Sequence, residues 1–314
     1  MSTLYIDRKD TQLSIEGKTL VCYIKTERQR PVPLALLERV VLASNVQLSS
    51  QVIGKLAAQG IALSLINMRQ PQNRATLIST SSKNPAIRQL QYQATTDSNV
   101  KAEIARQLIQ GKIQNHARFL DHLSIEFPAH RHPLQKASRA LNKALQQLSE
   151  KKTTVDSLRG IEGNAARHVF QAYTHIFPAS LHFTGRKRRP PPDPVNATLS
   201  LAYTLLHNRA IQLIYAAGLD PMLGFLHENQ YSRDSLAADL IEPWRPHIDR
   251  WVWEWFNERY LREDHFSEKN GGCLLGKRGR AKFYAAFETR MKPLQRAMRW
   301  QILALKKGLL EYYE

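Results

Sequence analysis

Asp239 and Glu242 stand three residues apart in SLAADLIEPWRP, Ser235 to Pro246, a stretch whose apolar positions read as a helix. Three residues of helix turn through about 300°, so the two carboxylates project about 60° apart on one side and can serve one site together. Ser235 is placed to cap this helix, which then starts at Leu236. Downstream, Ile248, Trp251, Val252 and Trp255 recur at three- and four-residue spacing. The same helix, or its continuation past Pro243 and Pro246, therefore packs into a core and partly desolvates the two acids. The plainer reading is that both acids only favour a helix N-terminus or pair with Arg245. Two further groups weigh against stopping there. His227 closes GLDPMLGFLHE, where Gly218, Pro221 and Gly224 set up tight turns, although a lone histidine is usually structural. Glu162 lies in RGIEGNAARHVF between Gly160 and Gly163, ahead of Ala165 and Ala166, small residues that let another backbone approach. A buried acid at that point needs a partner.

The elements that must carry these groups differ along the chain. The first eighty or so residues are β-rich: TLYID, LVCYI, RVVLA and IALSLI are short apolar runs separated by polar turns. One helix is predicted among them at SSQVIGKLAAQG, capped by Ser49 or Ser50 and ended by Gly60. SSKNPAIRQ then supplies a break, and the domain boundary is placed near Ser82, giving domains 1–82 and 83–314. Beyond it the composition turns to helix formers, with Ile104, Leu108, Ile109, Ile113, Ala117 and Leu120 on one helical face. The fold class expected is α+β, a small β-rich domain followed by a larger all-helical one. TGRKRRPPPDPVN joins four consecutive cations to a run of prolines and reads as an exposed loop. EKNGGCLLGKRGRAKF mixes glycine with cations and reads as a short hairpin or a mobile loop.

The 314 residues carry 45 lysines and arginines against 27 acids, a formal charge of +18. That balance favours a polyanionic partner, nucleic acid before an acidic membrane surface. The two cysteines, Cys22 and Cys273, are too few and too far apart for a disulfide framework or a thiolate cluster, so a reducing cytoplasm is expected. The charged first residues, MSTLYIDRKD, do not read as a secretory signal. The most apolar long segment, LSLAYTLLHNRAIQLIYAAG, contains His207, Asn208 and Arg209 and is expected to be a buried helix, not a membrane span.

GIEGNAAR, PVNATLSLAYTLL, GLDPMLGFLHE and SLAADLIEPWRP, in this order and at these separations, closely resemble the CRISPR-associated integrase, the catalytic subunit of the spacer-acquisition complex. VPLALLERVVLASNVQLSSQVIGKLAAQGIALSLIN resembles the family's β-domain, and GKIQN a motif of its first long helix, so the resemblance spans nearly the whole chain. It implies one divalent metal, Mg2+ or Mn2+, held by Glu162, His227 and Glu242. Asp239 and Arg245 take supporting places. Hard carboxylate oxygens suit magnesium or manganese, and an imidazole nitrogen tilts preference toward manganese. The family's usual tyrosine twenty residues before the histidine ligand is His207 here, which acts on a DNA oxygen or is a satisfied core side chain. Tyr203, which opens that motif, reads as packing.

The reaction implied is a transesterification, in which the 3′-hydroxyl of a short protospacer DNA attacks a phosphodiester at the edge of a CRISPR repeat; water in its place gives an endonuclease. Partners implied are double-stranded DNA, a second copy in a homodimer formed through the β-domain, and a small ferredoxin-like subunit. Candidate DNA contacts are Arg186, Lys187, Arg188 and Arg189, then Lys277, Arg278, Arg280 and Lys282, because cations that neutralise phosphates release counterions whatever the sequence. The alternatives are a general structure-selective metal-dependent DNase and a non-catalytic DNA-binding scaffold. Trp251, Trp253 and Trp255 serve either the core or a protein interface.

Overall fold

A computed structural model describes residues 2–66, 75–77, 85–150, 153–228, 233–269 and 271–313. The chain divides into two compact units, Met1–Lys83 and Asn84–Glu314. The boundary expected near Ser82 lies outside the described residues.

The first unit is built from short alternating strands. β1 (Ser2–Ile6), β6 (Leu37–Leu42), β8 (Ala62–Leu65) and β9 (Ala75–Leu77) form one sheet in that order, with β1 and β8 parallel to β6 and β9 antiparallel to β8. β2 (Thr11–Glu16) and β3 (Thr19–Ile24) form a hairpin whose turn places Gly17 at φ +60°, where a side chain would be strained. β4 (Glu27–Arg28) and β5 (Val32–Pro33) pair with β3, and β7 (Val46–Leu48) runs parallel to β2. Alternation sends Leu13, Leu20, Leu37, Val40 and Leu63 inward, where Val52 and Leu56 of α1 (Ser50–Ala58) join the same core. Ser49 caps α1 by accepting from the Val52 N–H, and Gly60 follows it at φ +68°, as the sequence indicated.

The second unit is helical. α2 (Ala86–Thr96) leads into α3 (Ser98–Glu126), whose first N–H groups at Asn99 and Val100 are met by the Asp97 carboxylate. α3 packs against α4 (Arg131–Glu150) and α5 (Val155–Tyr173). Leu108, Ile109, Ile113, Ala117 and Leu120 are all buried on it, as its spacing requires. α6 (Pro194–Ala217) is covered on nearly every side: it contains all of the LSLAYTLLHNRAIQLIYAAG segment but its final Gly218, and among the described residues no helix is long and apolar enough to cross a membrane. Asp193 caps it, and the buried Arg209 meets Glu288 at 3.1 Å.

α7 (Ser235–Ile241) is followed by a 3₁₀ turn, Glu242–Trp244, and by α8 (Arg245–Asn257), so Pro243 and Pro246 break one helical path into three pieces. Ser235 does not cap α7. It lies inside the first turn and gives its hydroxyl to the Glu228 carbonyl at 2.7 Å, because the preceding loop reaches that carbonyl to it. EKNGGCLLGKRGRAKF is a hairpin, β10 (Phe266–Lys269) with β11 (Gly272–Leu275), running into α9 (Lys277–Tyr313). Trp253 and Trp255 are buried, which assigns two of the three tryptophans to packing. Phe119 of α3 meets Tyr173 of α5 and Trp253 of α8 edge to face at 5.9 and 5.7 Å, tying three helices at one point. Phe119→Ala is expected to cost about 3–5 kcal/mol in denaturant unfolding and Phe119→Leu under about 1.5 kcal/mol; equal small losses would show that the junction is not held there.

Candidate active site

Beyond α6, residues 218–228 form no helix or strand, yet they are held by side chains of α2, α5 and α7. Gly218 ends α6 in the left-handed region at φ +89°, its N–H donating to Ile214. From α2, the Gln91 amide donates to the Asp220 and Leu223 carbonyls at 2.8 and 2.9 Å and accepts from the Asp220 N–H at 2.8 Å. From α5, Arg159 donates to the Leu226 carbonyl and to Glu228, one on each side of His227. A Cβ on Gly224 would fall 2.7 Å from Ser235 Cβ and 2.8 Å from Asp239 Oδ2, so only glycine lets this loop lie on α7.

Asp239 is completely buried and faces that loop. One oxygen accepts from the N–H groups of Phe225 and Leu226 at 2.6 and 2.9 Å; the other takes the His227 N–H at 3.0 Å and lies 2.6 Å from its ring Nδ1. Such a carboxylate has its lone pairs fully used, and it fixes the imidazole with Nε2 as the free nitrogen. Its place is therefore behind His227.

Glu242 is buried as well, and its charge is met twice. Oε2 accepts from Lys112 Nζ at 2.6 Å and Oε1 from Arg245 Nε at 2.8 Å. Burial opposes ionisation of Glu242, but Arg245 and Lys112 prevail and bring the carboxyl down to about 2. The same Lys112 ammonium also bonds Glu162 Oε1 from α5. Burial alone would depress Lys112; Glu242 and Glu162 reverse that and keep it protonated above the ordinary lysine value. The acid expected at Glu162 to need a partner thus has one.

The GKIQN stretch accounts for how α3 enters this site. A Cβ on Gly111 would lie 3.4 Å from Pro243, Lys112 bridges the carboxylates, and Asn115 Nδ2 donates to the Pro243 carbonyl at 2.9 Å. One and a half turns of helix therefore align the 3₁₀ turn that carries Glu242.

Beneath Arg245 runs a second buried set. The Arg245 guanidinium lies 4.5 Å from the centroid of the Tyr203 ring, and the Tyr203 hydroxyl donates to Asp249 Oδ1 on α8. Tyr173 donates to the other Asp249 oxygen at 3.5 Å, and His116 Nδ1 lies 3.3 Å from the Tyr173 hydroxyl. Burial raises the Asp249 carboxyl to about 6 against its Tyr203 and Arg245 partners, and burial, then Asp249, pushes both tyrosines well above their ordinary range. Tyr203, read from sequence as packing, is the tyrosine that joins Arg245 to Asp249. His207 is half-buried one turn further along α6.

Among the described residues no three His, Cys, Asp or Glu side chains stand in a metal-holding cluster. What Glu162 and Glu242 share is a cation of another kind, the Lys112 ammonium, so two carboxylates from different helices already converge on one positive charge. The donor set of two hard oxygens with one free imidazole nitrogen suits a divalent ion such as magnesium or manganese.

The cationic segments divide. Lys187, Arg188 and Arg189 are exposed, whereas Arg186 turns inward, donating to Asn196 Oδ1 at 2.9 Å and Ser200 Oγ at 3.1 Å below the Tyr203 ring. The reason is the buried Asn196 side chain, which offers its oxygen to Arg186 and to the Lys187 N–H. Lys277 and Arg278 are exposed on the first turn of α9; Arg280 is tied to the Leu275 carbonyl and Lys282 to that of Tyr260. The sequence reading did not assign Lys112, Arg159, Gln91 or Asp249 to a site. A signal existed for Lys112 and Asp249, each a charged residue on a helix face whose other members are apolar. None existed for Arg159 or Gln91, whose partners are loop carbonyls.

Residues 4–289 match the family model of CRISPR associated protein Cas1. A CRISPR-associated endonuclease Cas1 of Thermodesulfovibrio yellowstonii is 37% identical over 313 residues, which is 99% of this chain and 98% of that one. Among solved structures, a CAS1 protein from Thermotoga maritima superposes with a TM-score of 0.84 at 22% identity, covering 98% of this chain and 97% of the other. A casposase bound to integration product superposes with a TM-score of 0.87 at 22% identity, covering 100% and 92%.

Gly224→Ala is expected to destabilise the protein by about 1–3 kcal/mol, because neither Asp239 nor the α7 backbone can retreat; unchanged unfolding would mean that the loop does not lie on α7. Asp249 gives a pH signature. Between its ordinary 3.8 and its folded value of about 6 the folded state holds a proton that the unfolded chain has released. Its contribution is therefore full below about pH 4 and is lost as pH rises through 6, a change of about 3 kcal/mol. Relative to wild type, Asp249→Asn is expected to gain that amount in unfolding free energy from pH 4 to pH 7. A difference that stays constant would place the Asp249 carboxyl at its ordinary value.

Proposed function

The chain belongs to the CRISPR-associated Cas1 family, and from that premise we propose that it is a metal-dependent DNA integrase and endonuclease of CRISPR adaptation. The observation that carries this reading is the convergence of Glu162 and Glu242, from separate helices, on one cation beside a histidine oriented by a buried aspartate. Glu162, Glu242 and Nε2 of His227 would hold a magnesium or manganese ion. When bound, such an ion stabilises the negative charge that grows on a phosphoryl group and activates an oxygen nucleophile.

The remaining work falls to residues of this chain. Asp239 keeps Nδ1 of His227 engaged, so that Nε2 alone is presented. Arg245 holds one oxygen of Glu242, and the other is the one that accepts from Lys112 and would turn to the ion. Lys112 brings a fixed positive charge to the point where the scissile phosphate gains negative charge. In the proposed reaction the 3′-hydroxyl of a protospacer strand gives its proton to solvent and bonds to phosphorus at a repeat edge, as the bond from phosphorus to the departing 3′-oxygen breaks and that oxygen takes up a proton. Phosphodiester number is conserved, so the step needs no other energy source. Water as the nucleophile gives a nick instead. The likeness to a casposase held on its integration product supports joining over simple hydrolysis. Exposed Lys187, Arg188, Arg189, Lys277 and Arg278 are proposed to bind double-stranded DNA through its phosphates. The unit Met1–Lys83 is proposed to form the homodimer, and a small ferredoxin-like subunit to complete the complex in the cytoplasm.

The test incubates the protein, with and without that subunit, with labelled 3′-hydroxyl DNA and a supercoiled repeat-bearing plasmid in manganese. Label joined to the plasmid is the expected product; nicks without joining would leave a nuclease, and neither product a DNA-binding scaffold. Glu162→Ala, His227→Ala and Glu242→Ala are each expected to abolish joining while metal-free DNA binding persists, and Asp239→Asn to lower manganese affinity on the order of 10–100-fold through His227. A substituted residue that still supports joining at the wild-type rate lies outside the site.

A further inference from the structure

α4 carries a row of cations that no other part of the fold uses. Its buried face is Leu134, Ala137, Ser138, Leu141, Ala144 and Leu148, packed toward α3 and α5. On the opposite face His132, Lys136, Arg139 and Lys143 follow one another at spacings of four, three and four residues, and all four are exposed. At about 100° per residue they fall within an arc of about 60°, and they extend about 16 Å along the helix. None of them forms an ion pair or a side-chain hydrogen bond among the described residues. The other exposed positions of this face are Gln135, Asn142, Gln146 and Gln147, so amides fill the space between the charges. α4 has a single acid, Glu150, at its last residue. Arg250 of α8, by contrast, is exposed and meets Glu254 of its own helix at 2.8 Å.

We propose that this face of α4 is a track for the phosphate backbone of duplex DNA, a contact surface additional to the two basic segments that sequence singles out. A duplex carries one negative charge per about 1.7 Å of its axis, so a straight row of three cations and a histidine over about 16 Å faces phosphates along its whole length. Lys, Arg, Asn and Gln are the side chains that donate to phosphate oxygens, and no carboxylate interrupts the row. α4 contains no Phe, Tyr or Trp and exposes no large apolar side chain, so it has no platform on which an unpaired base would stack and no apolar centre for a protein partner. The helix is pinned along its opposite side, so the spacing of the charges is fixed before DNA arrives. The proposal takes from the functional reading only that DNA is the substrate.

The experiment measures binding of a labelled random-sequence duplex in EDTA over a range of salt concentrations, for wild type and for Lys136→Ala/Arg139→Ala/Lys143→Ala. Alanine is the best helix former, so these exposed changes leave α4 intact, which a thermal melt checks; Arg139→Ala alone serves where the triple variant melts early. The triple variant is expected to bind about tenfold or more weakly at moderate salt, with the slope of log K against log salt reduced by about 2.7, and the single variant by about 0.9. Wild-type affinity and slope in a folded variant would overturn the track and leave the integrase reading standing. A wild-type protein that binds no duplex would instead overturn the functional reading. Equal losses for duplex and for a single strand of the same length would overturn the assignment to duplex.

Discussion

A carboxylate leaves water only when something meets its charge, and three buried acids show three ways of meeting that requirement. Asp239 is surrounded by the N–H groups of Phe225, Leu226 and His227 and by the imidazole. Glu242 is clasped between Lys112 and Arg245 and stays ionised. Asp249 accepts from the hydroxyls of Tyr203 and Tyr173, with His116 Nδ1 3.9 Å away, and burial raises it to about 6. The difference follows from donor type: full cations outweigh desolvation, while two phenol dipoles do not.

The same requirement couples the helices. Because Lys112 belongs to α3, Glu162 to α5 and Glu242 to the turn before α8, one ammonium meets both carboxylates only when all three elements are docked. The aromatic junction of Phe119, Tyr173 and Trp253 joins the same helices on apolar terms, so packing and charge point to one arrangement. The irregular loop bearing His227 is part of this arrangement. Gln91, Arg159 and Asp239 bond its backbone groups one by one, which fixes the geometry of the loop around His227.

Much of the architecture was legible before any coordinates. Period-two runs located the main strands, the stripe from Leu108 to Leu120 located α3, and the glycines and prolines around His227 marked a constrained loop. The proline and cation run is irregular as far as Asp193, but Pro194–Asn196 are buried in the first turn of α6, and Arg186 turns toward Asn196 and Ser200, which a charge count cannot reveal. Tyr203 was underestimated because its hydroxyl partner, Asp249, is forty-six residues away. Ser235 had the residue type and position of a helix cap, yet the loop carbonyl of Glu228 claimed its hydroxyl.

What the sequence settled by itself is local or compositional: where strands and helices form, which faces are apolar, that the surface is strongly basic, and which motifs align with a known family. Those properties depend on a residue and its near neighbours, or on sums over the chain. What only the tertiary structure decided is which charges meet. Lys112 is fifty residues from Glu162 and one hundred and thirty from Glu242, and the ammonium between them exists only because three helix axes cross there. Coulomb energy depends on the distance between charges in space and on the dielectric around them, so it is fixed by the packed fold and not by spacing along the chain.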